Sequence, residues 1–502
     1  MINTAKRRHT AAYWLLPLAM AFLFSLIFST CNTPLFPEIG SDNAMYLTMG
    51  TALAQGYAPY SDIFDHKGPL LFLLQMLPQL FSGGYSMTAV FLQEVLFLYA
   101  SLLVLAHAAE KMNVGALPVQ LFYLAVLAPV MDGGNLTEEY ANLFTLIGLD
   151  VMTGVFAEGF GGKDAGKLLR PAAVMGVVTM LCFLTRANNM LPLACAVLAL
   201  AACMACTRRF AHLGVCAGGY ALGLAAALAP VAAWLAYHGA IGDAIYGSIT
   251  HNMMYAETDG FGRLHMLLRN GYGHYAMFIA GCACAGAAAY WFRCRRLPLA
   301  AAMVLGAAGA GGAAFISHKY YLHYLMLGVP MAALGAGQAL ALIRERFPGK
   351  LRLSCRALCV LCCAALIAVG VQQSLLHMQR YRETQNMIPD AQALYALVPE
   401  EDRDSFMAYR VEPKWYVATG ALPSMRFYFL QEILGQADPA VMDEIAGEFE
   451  NNPPRWVVIF YNREFGPPYD ARVDEIFKTR YEFVDAKGQY QLLKLREVDA
   501  AS

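Results

Sequence analysis

Pro59-Tyr60-Ser61-Asp62-Ile63-Phe64-Asp65-His66-Lys67-Gly68-Pro69, preceded by Ser41-Asp42-Asn43-Ala44-Met45-Tyr46, is the densest polar and aromatic stretch in a chain of 502 residues. It lies between two apolar runs, Tyr13–Cys31 and Ser86–Ala109. Each has the length of a membrane-crossing helix, about 18 to 25 residues. Within the stretch, Asn43–Gln55 predicts a short helix of small and apolar residues, broken by Gly56, Pro59 and Asp62. Leu70–Phe81 is apolar but short and carries Pro78, so it predicts an interfacial or re-entrant helix.

Further apolar runs follow at Ala116–Met131, Asn135–Phe156, Leu169–Leu184, Met190–Cys206, Leu213–Tyr237, Gly271–Trp291, Leu297–Phe315, Leu322–Ile343 and Leu358–Leu376. The chain thus reads as mainly α, a polytopic bundle of about eleven spans. Its composition agrees: 58% of residues are hydrophobic and 15% charged, against about 25% charged in soluble domains. Connections on one side of these spans hold seventeen Lys and Arg, among them Lys6, Arg7, Arg8, Arg208, Arg209, Arg344, Arg352 and Arg356, and those on the other side hold five. The positive-inside rule then places the N-terminus inside and the C-terminus outside. Lys6-Arg7-Arg8 before the first run reads as the flank of a retained span.

Composition changes near residue 377, dividing a transmembrane domain, 1–377, from a small extracytoplasmic α/β domain, 378–502. Arg455–Tyr461 predicts a buried strand after Pro453-Pro454. Glu400–Met407 and Tyr481–Leu495 add strand material around helices near Arg426–Leu434 and Pro439–Phe449. A second outer segment, His238–Asn270, reads as a mobile flap carrying His251, Asn252 and Arg263. The net charge of −1 argues against a nucleic-acid partner. Of the thirteen cysteines none follows Ser374, and nearly all fall in spans or at their inner ends, so neither a disulfide framework nor a metal site is expected.

The chemically able residues all fall on the outer side. Lys67, Arg186 and Lys319 are the leading cations for an anionic phosphate, with Arg263 a further one. Asp42, Asp65, Glu138 and Glu139 are carboxylates able to take a proton from a hydroxyl or bind sugar hydroxyls. Tyr46, His66, His318, His323 and Tyr324 complete a substrate-binding set. Each has a plainer reading. The tyrosines fit an interfacial belt, Lys319 a snorkelling side chain, Glu138 and Glu139 helix-start carboxylates, and His66 and His323 structural histidines. Glu94 and Asp150, inside spans, read as buried hydrogen-bonding groups.

Ser41–Tyr46 and Pro59–Pro69, with Gly134-Asn135-Leu136-Thr137-Glu138-Glu139-Tyr140 and Tyr320-Tyr321-Leu322-His323-Tyr324, resemble the GT-C superfamily of polytopic glycosyltransferases. The likeness is to bacterial members related to protein O-mannosyltransferases and the aminoarabinose transferase of lipid A, and it covers the whole chain. It implies transfer of a sugar, a hexosyl or pentosyl group, from a polyprenyl-phosphate donor to a lipid, glycan or protein acceptor outside the bacterial plasma membrane, usually with inversion. It also implies Asp42 as the catalytic or acceptor-orienting carboxylate, with a second carboxylate either supplied by Asp65 or Glu139 or not needed. Lys67, shared with Arg186 or Lys319, is implied as the donor-phosphate contact. Many relatives carry Asp-Glu where this chain has Asp42-Asn43. No cofactor is required by such chemistry, since fixed cations can stabilise the leaving phosphate; dependence on a divalent cation stays open. The rival reading is a transporter or flippase of polyprenyl-linked sugars, which predicts internal repeats that the sequence does not display.

Overall fold

A computed structural model describes residues 11–30, 40–156, 164–256, 271–316, 320–460 and 470–497. The helices are α1 (Ala11–Phe28), α2 (Ser41–Ala54), α3 (Pro69–Ser82), α4 (Met87–Lys111), α5 (Ala116–Leu127), α6 (Thr137–Phe156), α7 (Leu169–Thr185), α8 (Leu191–Cys206), α9 (Phe210–Tyr237), α10 (Ile241–Ile245) and α11 (Asn252–Ala256). They continue as α12 (Gly271–Cys294), α13 (Leu297–Phe315), α14 (Val329–Arg346), α15 (Gly349–Tyr395), α16 (Lys414–Thr419), α17 (Gln431–Ala437), α18 (Pro439–Asn451) and α19 (Ala471–Arg480). The chain divides into two compact units, one of Met1–Leu35, Phe91–Val231 and Thr258–Leu376, the other of Phe36–Val90, Ala232–Glu257 and His377–Ser502.

The first unit is a helix bundle. Among the described residues nine helices are long and apolar enough to cross a membrane. Two of the runs read as spans fall outside that set. Ala116–Val130 is a short apolar helix ending in a 3-10 turn at Pro129, and α6 carries Glu138, Glu139 and Asp150. Without an apolar solvent effect to drive helices together in a bilayer, small residues set how closely they pack. A Cβ added at Gly286 of α12 would lie 1.9 Å from the Gly335 Cα of α14. One added at Gly223 of α9 would lie 1.9 Å from the Ala173 carbonyl oxygen of α7. Helix α15, 47 residues long, runs without a break through residue 377, where the composition changes. The compositional boundary thus falls inside one continuous helix.

The second unit contains the two short helices that the sequence predicts between the first two apolar runs. Helices α2 and α3 are each 14 residues, too short to span. They touch where Gly50 meets the Gln75 backbone, leaving 2.6 Å to an added Cβ. Strands β1 (Phe406–Tyr409), β2 (Trp456–Phe460), β3 (Tyr481–Lys487) and β4 (Tyr490–Leu495) make one sheet, ordered β1-β2-β4-β3. β1 pairs parallel to β2, and the other pairs are antiparallel. The strand expected from Glu400 begins only at Phe406, because Glu400–Ser405, acidic and exposed, forms a 3-10 turn. Trp415, stacked on Phe406 at 5.4 Å, fills the core beside Tyr416, whose hydroxyl accepts a hydrogen bond from the Ala408 amide. The Tyr428 hydroxyl donates to the Met45 carbonyl at 3.0 Å, joining the tail to α2. The tail is therefore one part of a unit that also takes in 36–90 and 232–257.

The close crossing of α12 and α14 makes a sharp expectation. Gly335→Leu should lower the thermal midpoint in detergent by the equivalent of about 3 kcal/mol or more, because backbone stands where the side chain must go. Gly311→Leu, with nothing within 4 Å of its added Cβ, should leave the midpoint within error.

Candidate functional site

In the second unit the site is built from the loop between α2 and α3. Asp65 is fully buried, and its Oδ1 accepts the His66 backbone amide at 2.6 Å. The His66 ring Nδ1 lies 2.9 Å from the same oxygen, and Lys67 Nζ lies 2.9 Å from His66 Nε2. A lysine ammonium can only donate, so Nε2 is the acceptor and the neutral ring carries its proton on Nδ1, facing Asp65. The three consecutive residues form a chain from carboxylate through imidazole to ammonium. Lys67 Nζ also stands 5.9 Å over the Tyr46 ring. Burial by itself would raise the Asp65 pKa, but the charge of Lys67 and the His66 contacts prevail and hold it at about 2.

The loop is held by groups distant in sequence but in the same unit. Tyr60, at φ 63°, donates its hydroxyl to the Lys67 carbonyl at 2.7 Å. Asn252 Nδ2 donates to the His66 carbonyl at 2.6 Å. Arg426 Nε donates to the Tyr60 carbonyl at 2.8 Å, its carbonyl accepts the Phe64 amide at 2.9 Å, and its remaining nitrogens engage Asp243 and Glu444. His251 is buried near Phe64 and His66, and burial pushes its pKa below the ordinary imidazole value. Residues 241–256 are thus helical turns packed on the loop, while residues 257–270 of the segment read as a flap, with Arg263, lie outside the described residues. Asp42 is exposed in the first turn of α2, where the helix dipole favours a carboxylate.

The first unit brings together a different set. Arg186 interrupts the helix after Thr185 and donates to Glu138 Oε1 at 3.2 Å and to the Tyr324 hydroxyl at 3.0 Å. Its guanidinium lies 4.4 Å from the Tyr324 ring centroid. The second Glu138 oxygen accepts from Thr137 at 2.8 Å. His323 Nδ1 lies 2.8 Å from Asp132 Oδ2, and its ring stacks on Tyr321 at 5.5 Å. Before α6 the backbone from Asp132 through Asn135 keeps φ positive at four residues in succession, from 49° to 91°. This is an unfavourable conformation for Asp132 and Asn135.

That turn points the Asn135 amide at two carboxylates, Glu94 Oε1 at 2.5 Å and Glu139 Oε2 at 3.2 Å. Ser29 donates to Glu94 as well, at 2.9 Å. Glu94 is the buried hydrogen-bonding group that its sequence position suggests, and Asp150 pairs with Lys111 at 2.8 Å. Glu94 and Glu139 line a cavity of about 20 Å³ with Ser25 and Asn142, room for one water.

Of the residues expected at the site, Tyr46, Asp65, His66 and Lys67 cluster in one unit and Glu138, Arg186 and Tyr324 in the other. His318 and Lys319 lie outside the described residues. Sequence reasoning missed Arg426 and the anchoring part of Asn252, since an arginine in a polar tail carries no local signal of a buried partner. Among the described residues no group of three or more His, Cys, Asp or Glu side chains could hold a metal ion.

No family model matches the sequence, and neither does any curated protein. Solved structures do match. ArnT from Cupriavidus metallidurans bound to undecaprenyl phosphate is 13% identical, with 96% of this chain and 98% of that chain covered at a TM-score of 0.60. Its apo state gives 10% identity, 95% and 97% coverage, and 0.55. AglB, an oligosaccharyltransferase from Archaeoglobus fulgidus in complex with an inhibitory peptide and a dolichol-phosphate, is 11% identical, with 97% and 75% covered at 0.52. At such identities the likeness is one of fold.

The depressed Asp65 pKa carries a pH signature. Because the folded value lies below the unfolded one, the stabilisation is complete above about pH 4 and is lost as pH falls toward 2. Asp65→Asn should therefore destabilise the protein at neutral pH by about 2 kcal/mol. Thermal melts of the two proteins in detergent should converge near pH 2.

Proposed function

We propose, on a fold of the GT-C glycosyltransferase type, that this chain transfers a sugar from a polyprenyl-phosphate donor to an acceptor on the outer face of a bacterial plasma membrane. The observation that carries the reading is Lys67: a nearly buried ammonium, oriented by His66 and Asp65 over the Tyr46 ring, at the start of an interfacial helix. A fixed cation at that depth suits the phosphate of a lipid whose chain remains in the bilayer. As the glycosidic C–O bond breaks, negative charge grows on the leaving phosphate, so the cation stabilises the transition state more than the ground state.

Asp42 is the carboxylate that takes the acceptor hydroxyl's proton, being exposed and on the same unit as Lys67. Asp65 is a poor base at a pKa of about 2 and serves to position His66 and Lys67. Arg186 keeps its expected part as an anion contact, its planar guanidinium set by Glu138 and Tyr324. Glu139 is tied to the Asn135 amide beside Glu94, which favours a structural part over a catalytic one. The transferred group is a hexosyl or pentosyl sugar and the acceptor a lipid, a glycan or a protein, with inversion at the anomeric carbon the expected outcome.

The test is turnover of a panel of radiolabelled polyprenyl-phosphate sugars by the purified chain, counting hydrolysed and transferred sugar. One donor should turn over, Asp42→Asn should abolish transfer, and Lys67→Met should reduce kcat on the order of a hundredfold or more. Binding of a donor by all three proteins without turnover under any acceptor condition would instead favour a transporter.

A further inference from the structure

Within the helix bundle a cavity of about 960 Å³ opens between α1, α5, α14 and α15. Its walls are apolar, with Phe24 and Ile27 from α1, Phe122 from α5, Leu340 from α14 and Ile367 from α15. At one end the lining changes to Arg344, Arg352 and Arg356, and among the described residues no Asp or Glu lines it. Arg352 and Arg356 are one helical turn apart on α15, and Arg344 comes from α14, so the cations rim the opening from two helices. The nearby carboxylate, Glu345, is engaged by Arg293 at 2.7 Å. Arg352 spends one nitrogen on the Phe347 carbonyl at 3.1 Å, and its Nε is buried with no hydrogen-bond partner among the described residues.

The shape has a cause in the helix packing. Gly337 of α14 lets α5 approach so closely that an added Cβ would meet Val119 at 2.6 Å, which fixes the back wall. Helix α15 touches the turn after α5 at Gly370, where an added Cβ would lie 2.6 Å from the Ala128 Cβ, and from there back to Arg352 its inward face lines open space. Along the run that carries Tyr324 and Arg344, twenty residues of helix separate the two, roughly 30 Å, one hydrocarbon thickness. The arginines therefore lie at the opposite membrane face from Tyr324.

We infer that this cavity is a binding site for an anionic glycerophospholipid of the leaflet on the arginine side, with acyl chains between the four helices and its phosphate among Arg344, Arg352 and Arg356. Charge complementarity selects the headgroup: a zwitterionic lipid would bring a cation to a rim that has no carboxylate among its described residues to meet it, whereas an anionic lipid leaves net negative charge for three arginines. The inference stands apart from the proposed reaction and from the residues assigned to it.

The full-length chain, delipidated in detergent, would be titrated with phosphatidylglycerol, phosphatidylcholine and undecaprenyl phosphate, reading bound lipid by native mass spectrometry and the thermal midpoint. Phosphatidylglycerol should bind and stabilise, and the triple variant Arg344→Gln, Arg352→Gln, Arg356→Gln should weaken it on the order of a hundredfold. Ala364→Trp, which fills the groove from its exposed edge and keeps the arginines, should also weaken binding. Equal binding of phosphatidylcholine, or a triple variant that binds phosphatidylglycerol like wild type, would overturn the inference. So would undecaprenyl phosphate binding more tightly than phosphatidylglycerol through the same arginines. None of these readings depends on turnover.

Discussion

A charge inside or at the edge of a hydrocarbon layer costs several kcal/mol unless it has a partner, and the polar architecture of this chain follows from that cost. Several of the ionisable groups drawn into the bundle or its rim are paired among the described residues. Arg186 has Glu138 and Tyr324, Lys111 has Asp150, His323 has Asp132, and Glu94 has Ser29 and the Asn135 amide. The strained turn from Asp132 to Asn135 is the backbone's share in this arrangement, since it aims an amide N–H at a buried carboxylate.

The same rule gives the second unit its chemistry. Asp65, His66 and Lys67 are adjacent in sequence, so a carboxylate, an imidazole and an ammonium reach a buried position as a nearly neutral set. Tyr60, Asn252 and Arg426 then take up the loop's carbonyls, each a group that would otherwise be stranded away from water. A cation held this way is oriented before any ligand arrives, which is what electrostatic stabilisation of a leaving phosphate requires.

Much of the fold was legible because lipid imposes simple patterns. Most apolar runs from Tyr13 to Ile343 became helices close to their expected limits, α2 and α3 appeared as two short helices, and Trp456–Phe460 and the hairpin of β3 and β4 formed where the tail's pattern put strands. Less legible was anything that depends on contact at a distance. Residues 400–405 formed a 3-10 turn ahead of β1, α15 ignored the compositional boundary near residue 377, and the tail joined 36–90 and 232–257 in one compact unit.

By itself the sequence determined that the chain is a polytopic helical membrane protein with Asp42, Lys67, Glu138 and Arg186 among its chemically able residues, because hydropathy and residue type are local properties. Only the tertiary structure decided what each group does with its charge. It sealed Asp65 beneath His66 and Lys67, set Glu138 on Arg186, turned Glu139 toward Glu94, and gathered Arg344, Arg352 and Arg356 at the rim of an apolar cavity. The physical reason is that electrostatic partnership acts over a few ångströms in space and is indifferent to separation along the chain.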